Sequence, residues 1–295
     1  MGSSLYGKLF LTSYYFTIAI RKKQQEGIIK NRSFKAEYIL PASRTNWCAD
    51  PMLIDFEDKT YMFYEAVDGD HGRIEVVPIN DDCTVGEPAV LLEDDCHYSY
   101  PFVFMYDGEY YMIPESSAAN EVRLYKAKSF PYEWELRSAL LNERAVDTTV
   151  FEQDGKVYML TFATDGKTER VSPKAFEINF EEDVKLTKIS WDEFNTLRVR
   201  GAGGTFAEEG KRYRPAQIST EIRYGDGVTF YEVNADGNGY SEKPVGDLTA
   251  KNVKASACYM DGLHTYSTSD KFEAIDIRCR EFDLFKVPRR ILKIK

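Results

Sequence analysis

Residues 49–66 read ADPMLIDFEDKTYMFYEA, residues 99–117 SYPFVFMYDGEYYMIPESS and residues 146–163 VDTTVFEQDGKVYMLTFA. Each copy opens on small or polar residues, runs through an apolar stretch, turns, and enters a second run carrying Tyr-Met. The turns are Glu57-Asp58, Asp107-Gly108 and Asp154-Gly155. Asp-Gly between apolar runs is a strong hairpin signal. With Asp50, Tyr100 and Asp147 equivalent, successive copies lie 50 and 47 residues apart. Two weaker copies follow, GGTFAEEGKRYRPAQIS from Gly203 and DGLHTYSTSDKFEAIDI from Asp261. A period near 50 residues is that of one four-stranded propeller blade. No long helical pattern separates the copies, which argues against a parallel βαβ sheet. A β-sandwich is the other all-β solution, but it does not demand the same unit five times. The expectation is an all-β, five-bladed β-propeller over residues 41–295, with residues 1–40 packing on it as a strand or short helix. Residues 276–295 are expected to pair near the N-terminal strand, because closing the ring removes exposed edges.

Composition agrees with a strand-rich fold. Of 295 residues, 43% are hydrophobic and 14% aromatic. Tyr, Phe and β-branched residues suit pleated, half-buried surfaces. The formal net charge of -10 argues against a nucleic-acid partner, which calls for a basic surface. Residues 9–20, LFLTSYYFTIAI, are too short to span a bilayer comfortably, and no small-residue cleavage site follows them. Basic residues gather at both ends: Arg21, Lys22, Lys23, Lys30 and Arg32, then Lys286, Arg289, Arg290, Lys293 and Lys295. They read either as solvated tails or, if the termini meet, as a patch for peripheral contact with anionic lipid. Five widely spaced cysteines without a metal pattern suggest reduced thiols and a cytoplasmic setting, with two disulfides in a secreted protein as the alternative. Zinc spacing, a phosphate-binding loop and a Gly-x-Ser-x-Gly elbow are all missing from the sequence.

In a propeller the inner strands surround one axis, so the polar starts of the repeats converge at one mouth. Those starts carry Trp47, Asp50, His97, Tyr100, Asp147, Arg200 and His264. Glu65, Glu115, Arg214 and Gln217 lie within the repeats. Paired carboxylates suit glycosidic chemistry: one protonates the leaving oxygen while the other activates water or attacks carbon. A buried carboxyl is the better acid because its pKa rises. Asp50 is the candidate base or nucleophile, Glu115 the candidate acid and Asp147 a third carboxylate. Trp47, His97, Tyr100, Arg200, Arg214, Gln217 and His264 are candidate sugar contacts. Each has a plainer reading: Asp50 and Asp147 as turn residues, Glu115 as a solvated edge charge, His264 as a core histidine, Arg214 as an ion pair between blades.

The repeat heads and blade spacing resemble the fold of family-43 and family-32 glycoside hydrolases. A closer resemblance is to the N-terminal domain of plant glucosamine inositolphosphorylceramide transferase and its bacterial stand-alone relatives. It is carried by Trp47-Cys48-Ala49-Asp50-Pro51, residues 98–104 (YSYPFVF), residues 113–117 (IPESS), Asp147-Thr148-Thr149, residues 213–217 (YRPAQ) with Tyr224-Gly225, and His264-Thr265. The resemblance implies glycan or surface-polysaccharide metabolism, a glycan or glycosyl-donor ligand and, as a partner, a glycosyltransferase. It matches Asp50 to a base and Asp147 to a pKa-modulating Asp, and it allows an axial calcium near His264. It also shows a departure: the order Asp50, Glu115, Asp147 leaves the family-43 acid without a direct match, and Glu115 is a substitute chosen by position. Two functions follow, glycosidic-bond hydrolysis or transfer, and a non-catalytic glycan-binding scaffold that serves a glycosyltransferase.

Overall fold

A strand–turn–strand unit repeated every 47 to 50 residues has one economical solution, and the computed structural model adopts it: five antiparallel sheets set around an axis. The structure describes residues 12–283 apart from 169, 182, 192, 221–222, 237–238 and 257. The first three blades begin with inner strands Asn46–Phe56, Ser99–Tyr106 and Ala145–Gln153. In the fourth, the short strand Phe206–Glu208 leads into Lys211–Thr220. In the fifth, Tyr259–Gly262 and Tyr266–Thr268 both pair with Phe272–Phe282. The two-residue hairpin loops of the first four blades turn where the sequence placed them. Glu57, Asp107, Asp154 and Glu209 have φ of 50–55°, and glycines with positive φ follow the last three, as tight primed turns require.

Ring closure recruits the N-terminus. The strand Thr12–Lys22 pairs antiparallel with Phe272–Phe282 along its whole length, from Thr12 opposite Phe282 to Lys22 opposite Phe272. Residues 12–22 are therefore a strand inside the fifth blade. Closing the sheet in this way satisfies two edges at once. Arg21, counted above among the basic terminal residues, is 4% exposed and paired with Glu273 at 2.7 Å. The C-terminal basic residues 286, 289, 290, 293 and 295 lie outside the described residues.

Cysteine chemistry departs from expectation. Register places Met260 opposite Cys279, which brings Cys258 beside the same strand, and Cys258 and Cys279 form a disulfide with Cα atoms 5.6 Å apart. The reduced-thiol reading holds only for Cys48, Cys83 and Cys96, which are free and buried. Among the described residues no helix is long and apolar enough to cross a membrane.

Candidate functional site

The mouth is built by a backbone device repeated in three blades. Asp50, Tyr100 and Asp147 have φ of 53°, 44° and 51°. At each the ladder slips, between Ala49 and Met52, Ser99 and Phe102, and Val146 and Thr149. A bulge with a left-handed residue re-aims a side chain off the pleat, here toward the axis. Asp tolerates that conformation well; Tyr does so at a cost of order 1–3 kcal/mol. The second strand of a blade then returns to the mouth and delivers a polar group. Glu65 stands opposite Ala49 and Glu115 opposite Ser99, while Gln217 and Asp276 arrive from blades four and five.

Asp50, 6% exposed, accepts hydrogen bonds at Oδ1 from the Thr265 hydroxyl (2.7 Å) and at Oδ2 from the Tyr100 amide (3.2 Å). His264 lies between it and Asp276, with Nε2 3.3 Å from Asp50 and Nδ1 2.8 Å from Asp276. Asp276 also accepts from the backbone amides of His264 and Thr265. Burial alone would lower the His264 pKa, but Asp276 and Asp50 outweigh it and lift it to about 9. Burial raises Asp50 against the pull of His264, whereas His264 and the amides hold Asp276 below the usual carboxylate range despite its burial.

Arg200 organises the other side. Its Nε donates to Asp147 Oδ2 at 2.5 Å, and an Nη lies 3.6 Å from Glu115. Gln217 donates to Asp147 at 3.4 Å and to the Gly201 carbonyl at 2.8 Å. Burial lifts Asp147 to about 7 even with Arg200 beside it, and raises Glu115 for the same reason. Glu65 is likewise lifted to about 7 by burial. It accepts from His97 Nε2 at 3.0 Å, and the Gly72 amide donates to Nδ1 at 3.0 Å. Glu65 draws the His97 pKa upward, yet an Nδ1 that accepts a hydrogen bond has no proton, so the geometry holds the neutral Nε2–H tautomer. Along one wall stand Trp47, Phe16 and Tyr224, with Phe16 6.1 Å from Trp47 and 4.5 Å from His264, and Arg200 over Tyr224 at 5.6 Å.

Most sequence candidates thus meet at one mouth, and two are otherwise employed. Arg214, 1% exposed, forks onto Glu242 and donates to Tyr240 and to the Val199 carbonyl. It is a core ion pair within the fourth blade, neither a sugar clamp nor an inter-blade bridge, and it anchors the loop that carries Arg200. Tyr100, 0% exposed, places its hydroxyl between Thr149 Oγ1 (3.0 Å) and the Gly203 amide (2.9 Å), so it closes the axis instead of facing a ligand. Sequence reasoning missed Phe16 and Asp276, and left Glu65 out of the site. An acid that ends the second apolar run is the signal common to Glu65 and Glu115. The calcium expectation meets a poor donor set. Asp50, His264 and Asp276 offer ligand atoms within 4.8 Å of one another. Calcium takes six to eight oxygens, while these three groups are an imidazole and two carboxylates already engaged with each other and with backbone amides. The set does not fit calcium.

Residues 36–265 match the family described as "Glucosamine inositolphosphorylceramide transferase 1, N-terminal". The chain is 31% identical over 217 residues to glucosamine inositolphosphorylceramide transferase 1 of Oryza sativa subsp. indica, covering 68% of this chain and 28% of that protein. The Arabidopsis thaliana protein of the same name is 34% identical over 122 residues, covering 39% of this chain and 16% of its own length. The chain therefore spans under a third of the curated relatives it matches. Among solved structures, an alpha-L-arabinofuranosidase from Lactobacillus brevis superposes with TM-score 0.51 and 16% identity over 75% of this chain and 78% of its own. Cellvibrio cellulosa alpha-L-arabinanase complexed with arabinohexaose gives TM-score 0.53 and 11% identity over 79% and 91%. At these identities the likeness is one of fold.

Proposed function

The chain belongs to the family of glucosamine inositolphosphorylceramide transferase 1 N-terminal domains, and from that premise we propose that it is a carbohydrate-active propeller that cleaves or transfers a glycosidic bond at its axial mouth. One observation carries the reading: Asp50, Glu65, Glu115 and Asp147 come from three different blades to one space, each with its pKa raised, two of them to about 7. Burial that raises a carboxyl's pKa favours its protonated form, which is what a general acid needs. Glu115, whose side chain is 13% exposed against 2% for Asp147, acts as the acid toward the leaving oxygen. Asp50, oriented by Thr265 and His264, acts as base or nucleophile. Asp147 and Arg200 set the charge around Glu115. Trp47 and Tyr224 offer ring faces to a sugar. Five carboxylates at the mouth, counting Asp276, against Arg200 and His264 favour neutral or amine-bearing sugars over acidic ones.

The test is turnover of arabino-, xylo- and amino-sugar aryl glycosides by the purified protein. Glu115→Gln should cut kcat about 100-fold or more on substrates with poor leaving groups, and far less when the leaving group needs no proton. Equal turnover by wild type and by Asp50→Asn, Glu115→Gln and Asp147→Asn would remove the proposal.

One observation favours a second reading, a non-catalytic glycan-binding module beside a glycosyltransferase: both Asp50 oxygens are already bonded within the protein. Sugar binding that survives Asp50→Asn, with no turnover of any substrate, would select it.

A further inference from the structure

Below Tyr100 the axis opens again. The inner strands all run from the mouth toward the hairpin turns, so residues two to six positions past the bulges face the opposite end. There Leu53, Phe102, Phe104, Val150, Phe206 and Ser267, drawn from all five blades, line a cavity of about 250 Å³ that is partly open to solvent. Tyr100 separates it from the mouth by reaching blades three and four through Thr149 and Gly203. None of the carboxylates proposed for chemistry lines it.

Arg212 sits in its wall. Nη1 donates to Thr205 Oγ1 at 3.1 Å, and the guanidinium lies over the Phe151 ring at 5.9 Å. Both contacts are neutral. Arg21, Arg214 and Arg278, which are more deeply buried than the half-buried Arg212, each have a carboxylate within 2.7 Å. Glu152, which also lines the cavity, lies beyond ion-pair distance of Arg212, and burial pushes the Arg212 pKa down with only a partial offset from that carboxylate. A guanidinium has five N–H donors in a planar fork that matches a carboxylate or phosphate, and Thr205 takes one. Half-burying a cation without a counter-charge is costly unless a ligand supplies one.

We propose that this cavity is a second ligand site, which takes a single sugar ring bearing an oxyanion, with the charged group on Arg212 and Thr205 and the ring against Phe102, Phe104 and Phe206. Its volume of about 250 Å³ has room for one ring. The preference is opposite in sign to that of the acidic mouth, so the two ends sort ligands by charge. The site does not depend on the chemistry proposed for the mouth.

Isothermal titration and saturation-transfer NMR with glucuronate, glucose 1-phosphate, glucose and inorganic phosphate test it. At least one anionic sugar should bind about tenfold or more tightly than glucose, and more tightly than inorganic phosphate; which one it is separates sugar acid from sugar phosphate. Arg212→Gln should weaken that binding about tenfold or more, and Arg212→Lys, which keeps the charge but loses the fork, by less. Glu152→Gln, an exposed change that leaves packing intact, should tighten it about threefold by removing the nearest negative charge. Asp147→Asn should leave it unchanged. No binding by either anionic sugar, equal binding of glucose, or affinity indifferent to both Arg212→Gln and Glu152→Gln would overturn the proposal.

Discussion

Replacing Arg214 by Met tests whether this fully hydrogen-bonded buried cation is structural. Arg214 and Glu242 have side chains 1% and 3% exposed, and two guanidinium nitrogens contact the carboxylate at 2.7–2.9 Å. Nη1 holds the Val199 carbonyl at 2.9 Å, and Trp191, Tyr231 and Phe162 surround the group at 5.5–5.7 Å. Removing the cation leaves a buried carboxylate with only Tyr240 as partner. Breaking such a pair costs about 3–5 kcal/mol. For a chain of this size each kcal/mol moves Tm by roughly 2 °C, so Tm should fall by about 6–10 °C. Arg214→Met/Glu242→Leu removes both charges and should recover about 2 kcal/mol of the loss. It should remain about 1–3 kcal/mol below wild type, because the Val199 carbonyl and the Tyr240 hydroxyl lose their partners. Urea unfolding followed by circular dichroism, with Tm by calorimetry, gives the cycle. A single variant within about 1 kcal/mol of wild type, or a double variant less stable than the single, would refute the structural assignment.

His264, with a folded pKa of about 9 against about 6.5 unfolded, contributes stability that is whole below pH 6.5 and is lost as pH rises through 9. Its imidazole should therefore titrate by NMR near pH 9, and a midpoint at or below 6.5 would contradict the Asp50–His264–Asp276 arrangement. Tyr100→Phe strands the buried Gly203 amide and should cost about 1–3 kcal/mol by urea titration while leaving sugar affinity at the mouth intact. At Gly203, φ is 126° and an added Cβ would lie 2.0 Å from the Tyr266 carbonyl oxygen, so Gly203→Ala should cost more than about 3 kcal/mol; Gly210→Ala, at φ 76° in open space, should cost about 1 kcal/mol. Reducing the Cys258–Cys279 disulfide, which spans 21 residues, should lower stability by about 3 kcal/mol, with Cys258→Ser matching the reduced protein in calorimetry.

The blades were legible because hairpins are local. Turn chemistry at residues 107–108 and 154–155 and apolar runs on either side sit within twenty residues of one another, so period alone reveals them. The mouth was legible in outline for the same reason: equivalent positions in a repeat occupy equivalent places around an axis. What stayed hidden depends on register between distant strands. Asp276 lies in an apolar run, FEAIDI, and nothing local says that it meets Asp50, 226 residues away. Arg214 and Gln217 share one strand and sit three residues apart, so opposite faces send one into the blade and the other to the mouth. Residues 9–20 looked like an isolated apolar segment because the partner of the strand that starts at Thr12, Phe272–Phe282, is at the far end of the chain.

Closure therefore makes the site as well as the fold. The strand Thr12–Lys22 completes the fifth blade and also brings Phe16 against His264, Trp47 and Tyr224. Asp276 lies on its partner strand and fixes His264 through both ring and backbone contacts. His264 and Thr265 then orient Asp50, which belongs to the first blade. The first and last blades are thus joined through buried, charge-assisted contacts, next to the backbone pairing that shuts the ring within the fifth blade. An opening at the seam between them would separate Asp50 from its orienting partners before it disturbed the Arg200–Asp147 pair between blades three and four. Partial unfolding of this propeller should accordingly abolish the base before it disperses the acid, which ties the candidate chemistry to the integrity of one seam.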